Sequence, residues 1–206
     1  MRLALPCVFM VLLSARLLAN GNFSDDFEQG DGPPEGWVNT LGTIPVTVEL
    51  GEMILGTNGT NEGWVWIDTK TFERDFTLQF DIAFEPSGSL PEIGRHGGVM
   101  FCASENTNRY SPTMNGYVMD WIDRVAGPPD HGYRFHKWMP GTPQATEIPL
   151  IPDGSSFDVP DPGKTWKITA AGTTLTFEVD GEIKGQVDDA DYRGRYIGFW
   201  GWSNLQ

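Results

Sequence analysis

Cysteine is nearly missing from this chain: two residues in 206, Cys7 and Cys102. Cys7 falls in an N-terminal segment with the layout of a leader, so a processed chain keeps Cys102 alone. That excludes an internal disulfide framework. With no activating partner near it in sequence, Cys102 in HGGVMFCAS reads as a buried small hydrophobe rather than a nucleophile. Heptads, long helical periodicity and solenoid-length repeats are also missing, which excludes coiled coils, helical bundles and repeat arrays. Beyond residue 19 no apolar run is long enough to span a bilayer. Positive charge is scarce as well: 14 Lys and Arg stand against 28 Asp and Glu, a formal net charge of −14. A surface this negative repels nucleic acid and anionic polysaccharide, while neutral glycans and calcium remain compatible with it.

The first 19 residues, MRLALPCVFMVLLSARLLA, combine a basic start at Arg2, an apolar core and a small residue at Ala19. This is the layout of a secretory signal peptide, and it predicts a secreted or extracytoplasmic protein with no membrane contact after cleavage. An uncleaved anchor is the other reading, although Arg16 interrupts the apolar run. Loss of Arg2 and Arg16 leaves 12 basic against 28 acidic residues, or −16. Residues 20–206 then suit one domain with a sizeable core. Two sequons, Asn22-Phe-Ser and Asn58-Gly-Thr, matter only in a eukaryotic host.

What is present is turn punctuation, 25 glycines and 15 prolines, between short alternating runs. This predicts an all-β domain. NFSDDFE reads as a first strand, QGDGPPEG as a loop, and PVTVEL with EMILGT as a hairpin around Gly51. WVWIDT, RDFTLQFDIAFE, HGGVMFCAS, NGYVMDWID and HGYRFHKWM read as further strands, and 140–163 as a long irregular connection. The stretch 164–202 is a meander broken at Ala171-Gly172 and Asp180-Gly181, where positive φ is cheap.

Period-2 alternation assigns a face to each strand. In the clearest one, Phe76, Leu78, Phe80, Ile82 and Phe84 share one parity, and Gln79 and Asp81 share the other. Taking Val65, Ile67, Tyr117, Met119, Trp121, Tyr133, Phe135, Ile197 and Phe199 as core leaves a second set on the opposite parity. That set holds Gln79, Asp81, Asp120, Arg134 and His136, together with Trp64, Trp66, Trp138, Trp200, Trp202 and Tyr196. Indole faces stack on the C–H faces of pyranose rings, and a few placed polar groups fix orientation. The expected ligand set is Gln79, Asp120, Arg134, His136, Trp138, Trp200 and Trp202. Two acidic runs, Asp25-Asp26 and Asp188-Asp189-Ala-Asp191, offer oxygen ligands to calcium, though neither matches an EF-hand loop.

FSDDFEQGD…GW, FTLQFDIAFEP and W-K-I-T…L-T-F-E-V-D-G…Y-I-G-F-W-G-W-S-N together resemble the concanavalin A-like lectin/glucanase superfamily. The resemblance covers most of 22–206 and implies a two-sheet antiparallel jelly-roll β-sandwich with a concave, ligand-facing sheet. The last motif is similar to laminin G-like domains, and GGVMFCASENTNRY with GYVMDWID to the thrombospondin C-terminal lectin-like domain.

GYVMDWID also resembles the G-[YF]-E-x-Q-[IL]-x-D stretch of 3-keto-disaccharide hydrolase domains. Gly116, Tyr117 and Asp123 match, while that family's glutamate falls on Val118 and its glutamine on Asp120. The laminarinase-type pattern E-x-D-x-x-E or E-x-D-x-E is absent. Members of the superfamily carry a further strand, V-x-[FY]-D-N-[VI], beyond the position of Gln206; the resemblance implies that the sequence lacks this final strand, leaving an unpaired sheet edge, or that the first strand pairs differently.

The function expected from all this is recognition of a neutral oligosaccharide or polysaccharide on the concave face. A glycoside hydrolase with Asp120, Asp81 and His136 as its acid–base groups is the alternative, and a structural or adhesive extracellular module is the third reading.

Overall fold

Alternation of apolar and polar residues decides the architecture, because each strand must bury one face and wet the other. The computed structural model describes residues 11–19, 23–27, 35–39, 46–49, 52–55, 62–69, 71–72, 74–84, 95–107, 111–123, 131–140, 146–150 and 163–203. Every regular element among them is a strand.

One sheet contains β1 (Val11–Ala19), β2 (Phe23–Asp25), β4 (Val46–Glu49), β5 (Glu52–Leu55), β7 (Phe76–Phe84), β12 (Lys164–Ala171), β13 (Thr174–Val179) and β14 (Glu182–Asp188), in the order β14-β13-β12-β7-β1-β5-β4 with β2 also on β1. The other contains β3 (Trp37–Asn39), β6 (Glu62–Ile67), β8 (Arg95–Ala103), β9 (Gly116–Asp123), β10 (His131–Met139), β11 (Thr146–Pro149) and β15 (Tyr196–Ser203), in the order β11-β10-β9-β8-β15-β6-β3. All pairings are antiparallel. The two inner faces meet in one core that includes Phe80, Trp166, Phe199, Tyr133, Phe135 and Phe177.

The turns follow their residues. Asp180 and Gly181 have φ of 50° and 79°, so both central positions of the β13–β14 hairpin are left-handed, as a type I′ turn requires. β4 and β5 pair antiparallel with Glu49 opposite Glu52, the hairpin that the sequence predicts. A bulge between Phe177 and Glu178 slips the β14 register, and Ile183 beside it is exposed. A second irregularity, where β15 meets β8, coincides with Cys102 at φ 50°. There Phe101 and Cys102, consecutive residues, both enter the main core.

Residues 11–19 of the leader-like segment form β1, between β7 and the β2/β5 edge. Two expectations need correcting. The long connection 140–163 contains β11; residues 151–162 and both sequon asparagines lie outside the described residues. NFSDDFE supplies only the three-residue β2.

Candidate functional site

Among the described side chains, the faces assigned by parity in the seven-stranded sheet are observed. Val65, Ile67, Tyr117, Met119, Trp121, Tyr133, Phe135, Ile197 and Phe199 lie in the main core. Trp64, Trp66, Val118, Trp138 and Trp200 form a second apolar cluster with Met100, Ala103 and Met114. That cluster marks the outer face of this sheet.

Cross-strand register sets out this face in rows. One row runs Arg134, Asp120, Gly98, Trp200, Trp64 across β10, β9, β8, β15 and β6. The next runs His136, Val118, Met100, Gly198, Trp66. Each row has polar residues at one end, indoles at the other and a glycine between. Both glycines are required by close approach. A Cβ on Gly98 would lie 2.2 Å from the Met119 carbonyl oxygen, and one on Gly198 would lie 2.4 Å from the Trp66 ring. Gly198 is what allows the Trp66 indole to lie flat on the sheet. Neither glycine was singled out from sequence, although Gly198 shares parity with Trp200 and Trp202 in YIGFWGW.

At the polar end Arg134 donates from Nε to Asp120 Oδ1 (2.9 Å) and from Nη2 to Oδ2 (2.7 Å). This two-point pairing is the strong form of an Arg–carboxylate contact. Asp120 is 1% exposed, and His136, 2% exposed, brings Nε2 to 3.6 Å from Asp120 Oδ1. Neither ring nitrogen of His136 has a hydrogen-bond partner, and neither do the buried Nε1 groups of Trp66 and Trp138. Each of these is an unmatched polar group on this face.

At the aromatic end Trp64 stacks between Trp66 (centroids 5.8 Å apart, 18°) and Trp200 (5.5 Å, 11°). Trp138 meets Trp64 edge-on at 6.2 Å. β10 and β6 are separated by three strands, which in a flat sheet puts them roughly 19 Å apart. The contact therefore reports a strongly rolled sheet whose two sides meet over its middle. It also corrects the expectation of an exposed aromatic platform: Trp138 and Trp200 are 3% and 2% exposed, with their rings against other rings.

Gln79 and Asp81 do not join this face. They lie on the outer face of the eight-stranded sheet, where Thr165 Oγ1 donates to Asp81 Oδ1 (2.5 Å). Both sheets and the core separate Asp81 from Asp120, so these two carboxylates cannot share a glycosidic bond. Trp202 pairs through its backbone with His96 and Glu62 in the row beyond Asp120, and its side chain lies outside the described residues.

The acidic runs are engaged by the protein itself. Asp189 Oδ1 accepts from the Tyr117 hydroxyl (2.5 Å), and its Oδ2 contacts Lys137 Nζ, which also reaches Asp191 Oδ2 at 2.6 Å. Burial acts to raise the Asp189 pKa, but the Lys137 and Tyr117 hydrogen bonds outweigh it and hold the carboxyl below the usual range. Burial and the same hydrogen bond push the Tyr117 phenol up. In the other run, Asp25 accepts from Trp37 Nε1 (2.7 Å) and the Phe27 amide (2.9 Å). Among the described residues no three His, Cys, Asp or Glu side chains converge as a metal site would require.

No protein-family model matches the chain, and no curated protein sequence matches it. Solved structures do. The carbohydrate binding module CBM66 from Bacillus subtilis has a TM-score of 0.54 at 19% identity, covering 82% of this chain and 92% of that one. The chain has a concanavalin A-like jelly-roll fold. Also similar are the metal-free carbohydrate recognition domain of Emp46p (TM-score 0.56, 13% identity, 87% of each chain) and a glycoside hydrolase family 16 endo-glucanase from Bacteroides ovatus (0.52, 11%, 89% of this chain and 86% of that one). At these identities the likeness concerns the fold alone.

Proposed function

We propose that this jelly roll is an exported, non-catalytic carbohydrate-binding domain that takes a neutral glycan into the groove of its seven-stranded sheet. The observation that carries the reading is the set of unmatched ring nitrogens on that face. His136 offers both Nδ1 and Nε2, and Trp66 and Trp138 each offer an N–H. A neutral imidazole presents one donor and one acceptor, and an indole presents one donor. Buried polar atoms in native proteins are almost always satisfied, by protein, water or ligand. A polyhydroxylated ligand can satisfy all of them, since each hydroxyl both donates and accepts. Arg134, aligned by Asp120, adds cationic donors at the rim.

The surplus of acidic residues supports neutral over anionic glycans. That several solved relatives in fold are named as carbohydrate-binding or glycan-cleaving proteins supports a glycan ligand in general. In the proposed mechanism the ligand enters by displacing the edge-on Trp138 from Trp64, which frees indole faces for a sugar ring. Ring stacking of this kind contributes about 0.5–1.5 kcal/mol per pair beyond buried area, so opening one edge contact is a small cost.

The test is an array of neutral and acidic glycans probed with the full chain, with and without calcium, and with released sugar assayed in the same wells. The expected result is binding to neutral glycans, a change in tryptophan fluorescence on titration, no release, and loss of binding in His136→Ala. Silence on neutral glycans overturns the reading and favours a structural or adhesive module. Release of sugar favours a hydrolase, with Asp120 as its acid or base.

A further inference from the structure

The unmatched atoms on the outer face of the seven-stranded sheet are unequal in kind. Trp66 and Trp138, at 0% and 3% exposure, each hold an Nε1–H without a partner, and His136, at 2%, holds both ring nitrogens without one. An indole is a donor only, and a neutral imidazole is one donor and one acceptor. These three side chains therefore offer three donors against a single acceptor. Asp120 does little to redress the balance, because Arg134 occupies both of its oxygens, at 2.9 and 2.7 Å.

This imbalance discriminates among the groups that a neutral glycan carries. A hydroxyl that accepts from a buried N–H brings a proton of its own, and that proton needs an acceptor in turn. Matching the three donors with three hydroxyls leaves two of the incoming protons without an acceptor among these side chains. A buried donor left unpaired costs its full desolvation. An amide carbonyl oxygen has two lone pairs and no proton, so it takes up two donors at once. The N–H of the same amide is the one donor that the imidazole acceptor calls for.

The lining between the polar groups agrees. In the row that runs from His136 to Trp66, the positions between them are Val118, Met100 and Gly198. Met100, Ala103 and Met114 are 0% exposed and Val118 is 1% exposed, all in one cluster with the indoles. A methyl group brought against such a lining gains by leaving water, whereas a hydroxyl loses.

Building on the glycan reading of this groove, we propose that the sugar it selects is an N-acetylated hexosamine, recognised through its acetamido group. The carbonyl oxygen accepts from the indole N–H groups, the amide N–H donates to His136, and the methyl lies against Val118 and Met100. A hexose with a hydroxyl in place of the acetamide supplies neither the proton-free acceptor nor the methyl.

The experiment titrates matched pairs into the full chain: cellotetraose against chitotetraose, and lactose against N-acetyllactosamine. Within each pair the acetamido groups are the difference. Calorimetry reads affinity, and saturation-transfer NMR reads which ligand protons touch the protein. In at least one pair the acetamido member is expected to bind about tenfold more tightly, the scale of one hydrogen bond gained, with the acetyl methyl taking the largest saturation. Trp138→Phe keeps a ring and deletes an N–H, and it is expected to shrink that ratio to roughly threefold, one donor of two being gone. Should this variant fail to fold, Trp66→Phe takes its place, and the parent's ratio decides without either. Members of a pair that bind alike, or hexoses that bind more tightly, overturn the inference and leave the glycan reading standing. Absence of binding by all four also overturns it, and the glycan array then decides separately whether the glycan reading survives.

Discussion

Replacing Arg134 with methionine removes both guanidinium hydrogen bonds from Asp120, at 2.9 and 2.7 Å, while leaving that carboxylate 1% exposed. The magnitude follows from burial. Breaking a buried ion pair by deleting one partner costs about 3–5 kcal/mol, because the remaining charge stays desolvated. Arg134 is 14% exposed along its side chain, so little of the effect is lost to solvent screening. In a domain of this size each kcal/mol moves Tm by about 2–4 °C, so the variant should melt roughly 6–20 °C lower.

The assay is denaturant unfolding followed by tryptophan fluorescence, with the stacked Trp64, Trp66 and Trp200 as reporters. The paired variant Asp120→Leu with Arg134→Met is the decisive control. Swapping both partners for apolar groups is neutral to stabilising by about 1–4 kcal/mol when the site packs well. The double variant should therefore recover most of the single variant's loss. A single Arg134→Met variant within about 1 kcal/mol of the parent would falsify the claim that Asp120 is a desolvated charge held by Arg134.

Three further outcomes follow from the geometry. Gly98→Ala and Gly198→Ala each place a methyl under 2.5 Å from a fixed neighbour, a backbone oxygen in the first and a packed indole in the second. Overpacking of this kind costs about 1–3 kcal/mol or more, and in Gly198→Ala it should also alter the near-ultraviolet signal of the indole stack. Asp189 has a lowered pKa in the folded state, so its contribution is present above the unfolded carboxylate value and is lost as pH falls through the folded one. Asp189→Asn should accordingly flatten the acid limb of a stability-versus-pH curve, measured by urea midpoint. A limb as steep as the parent's would count against the Lys137 clamp. Burial pushes the Cys102 thiol up to about 12, partly opposed by Arg74. A thiol reagent at about pH 8 should thus label folded protein only at the rate of global unfolding, and fast labelling would refute its burial.

Local pattern carried most of the sandwich. Strict alternation in FTLQFDIAF and WKITA decides which face is buried without reference to any partner. Asp180-Gly181 sets its hairpin by φ alone. Two features lay beyond local pattern. Strand β1 reads as a leader because VLLSARLLA is apolar at seven of its nine positions, including Leu12 and Leu18 on the parity of Ser14 and Arg16. Only the partner strand shows that Arg16 takes the register position opposite Gln79. The placement of Gln79 and Asp81 failed for a related reason. Parity shows that a residue faces away from the core, but a sandwich has two such outer faces. Which one a strand supplies depends on sheet membership, here the pairing of β7 with β12 and β1 rather than with β8.

The same distinction governs the aromatic groove. Parity correctly put Trp64, Trp66, Trp138 and Trp200 on one face, and from that alone an open platform follows. Burial on that face is set by curvature, which no single strand encodes. Glycine at 98 and 198 thins the centre of the sheet, lets Trp66 lie flat and allows β10 to swing Trp138 against Trp64, across three intervening strands. The rings that would have been an exposed sugar platform then satisfy one another's apolar faces. The indole nitrogens of Trp66 and Trp138, together with those of His136, are left unsatisfied. Ring faces can pair with any apolar neighbour, but buried N–H groups require an acceptor. A ligand that merely stacked would gain little from displacing indoles already stacked. One that brings hydroxyl groups gains hydrogen bonds that the closed groove does not make, and it is this difference that favours opening. Affinity in this groove should therefore track the hydroxyl pattern of the sugar more closely than its apolar area, with deoxy analogues binding more weakly than their parent sugars in the same titration. Equal binding by deoxy and parent sugars would place the recognition in the ring faces instead.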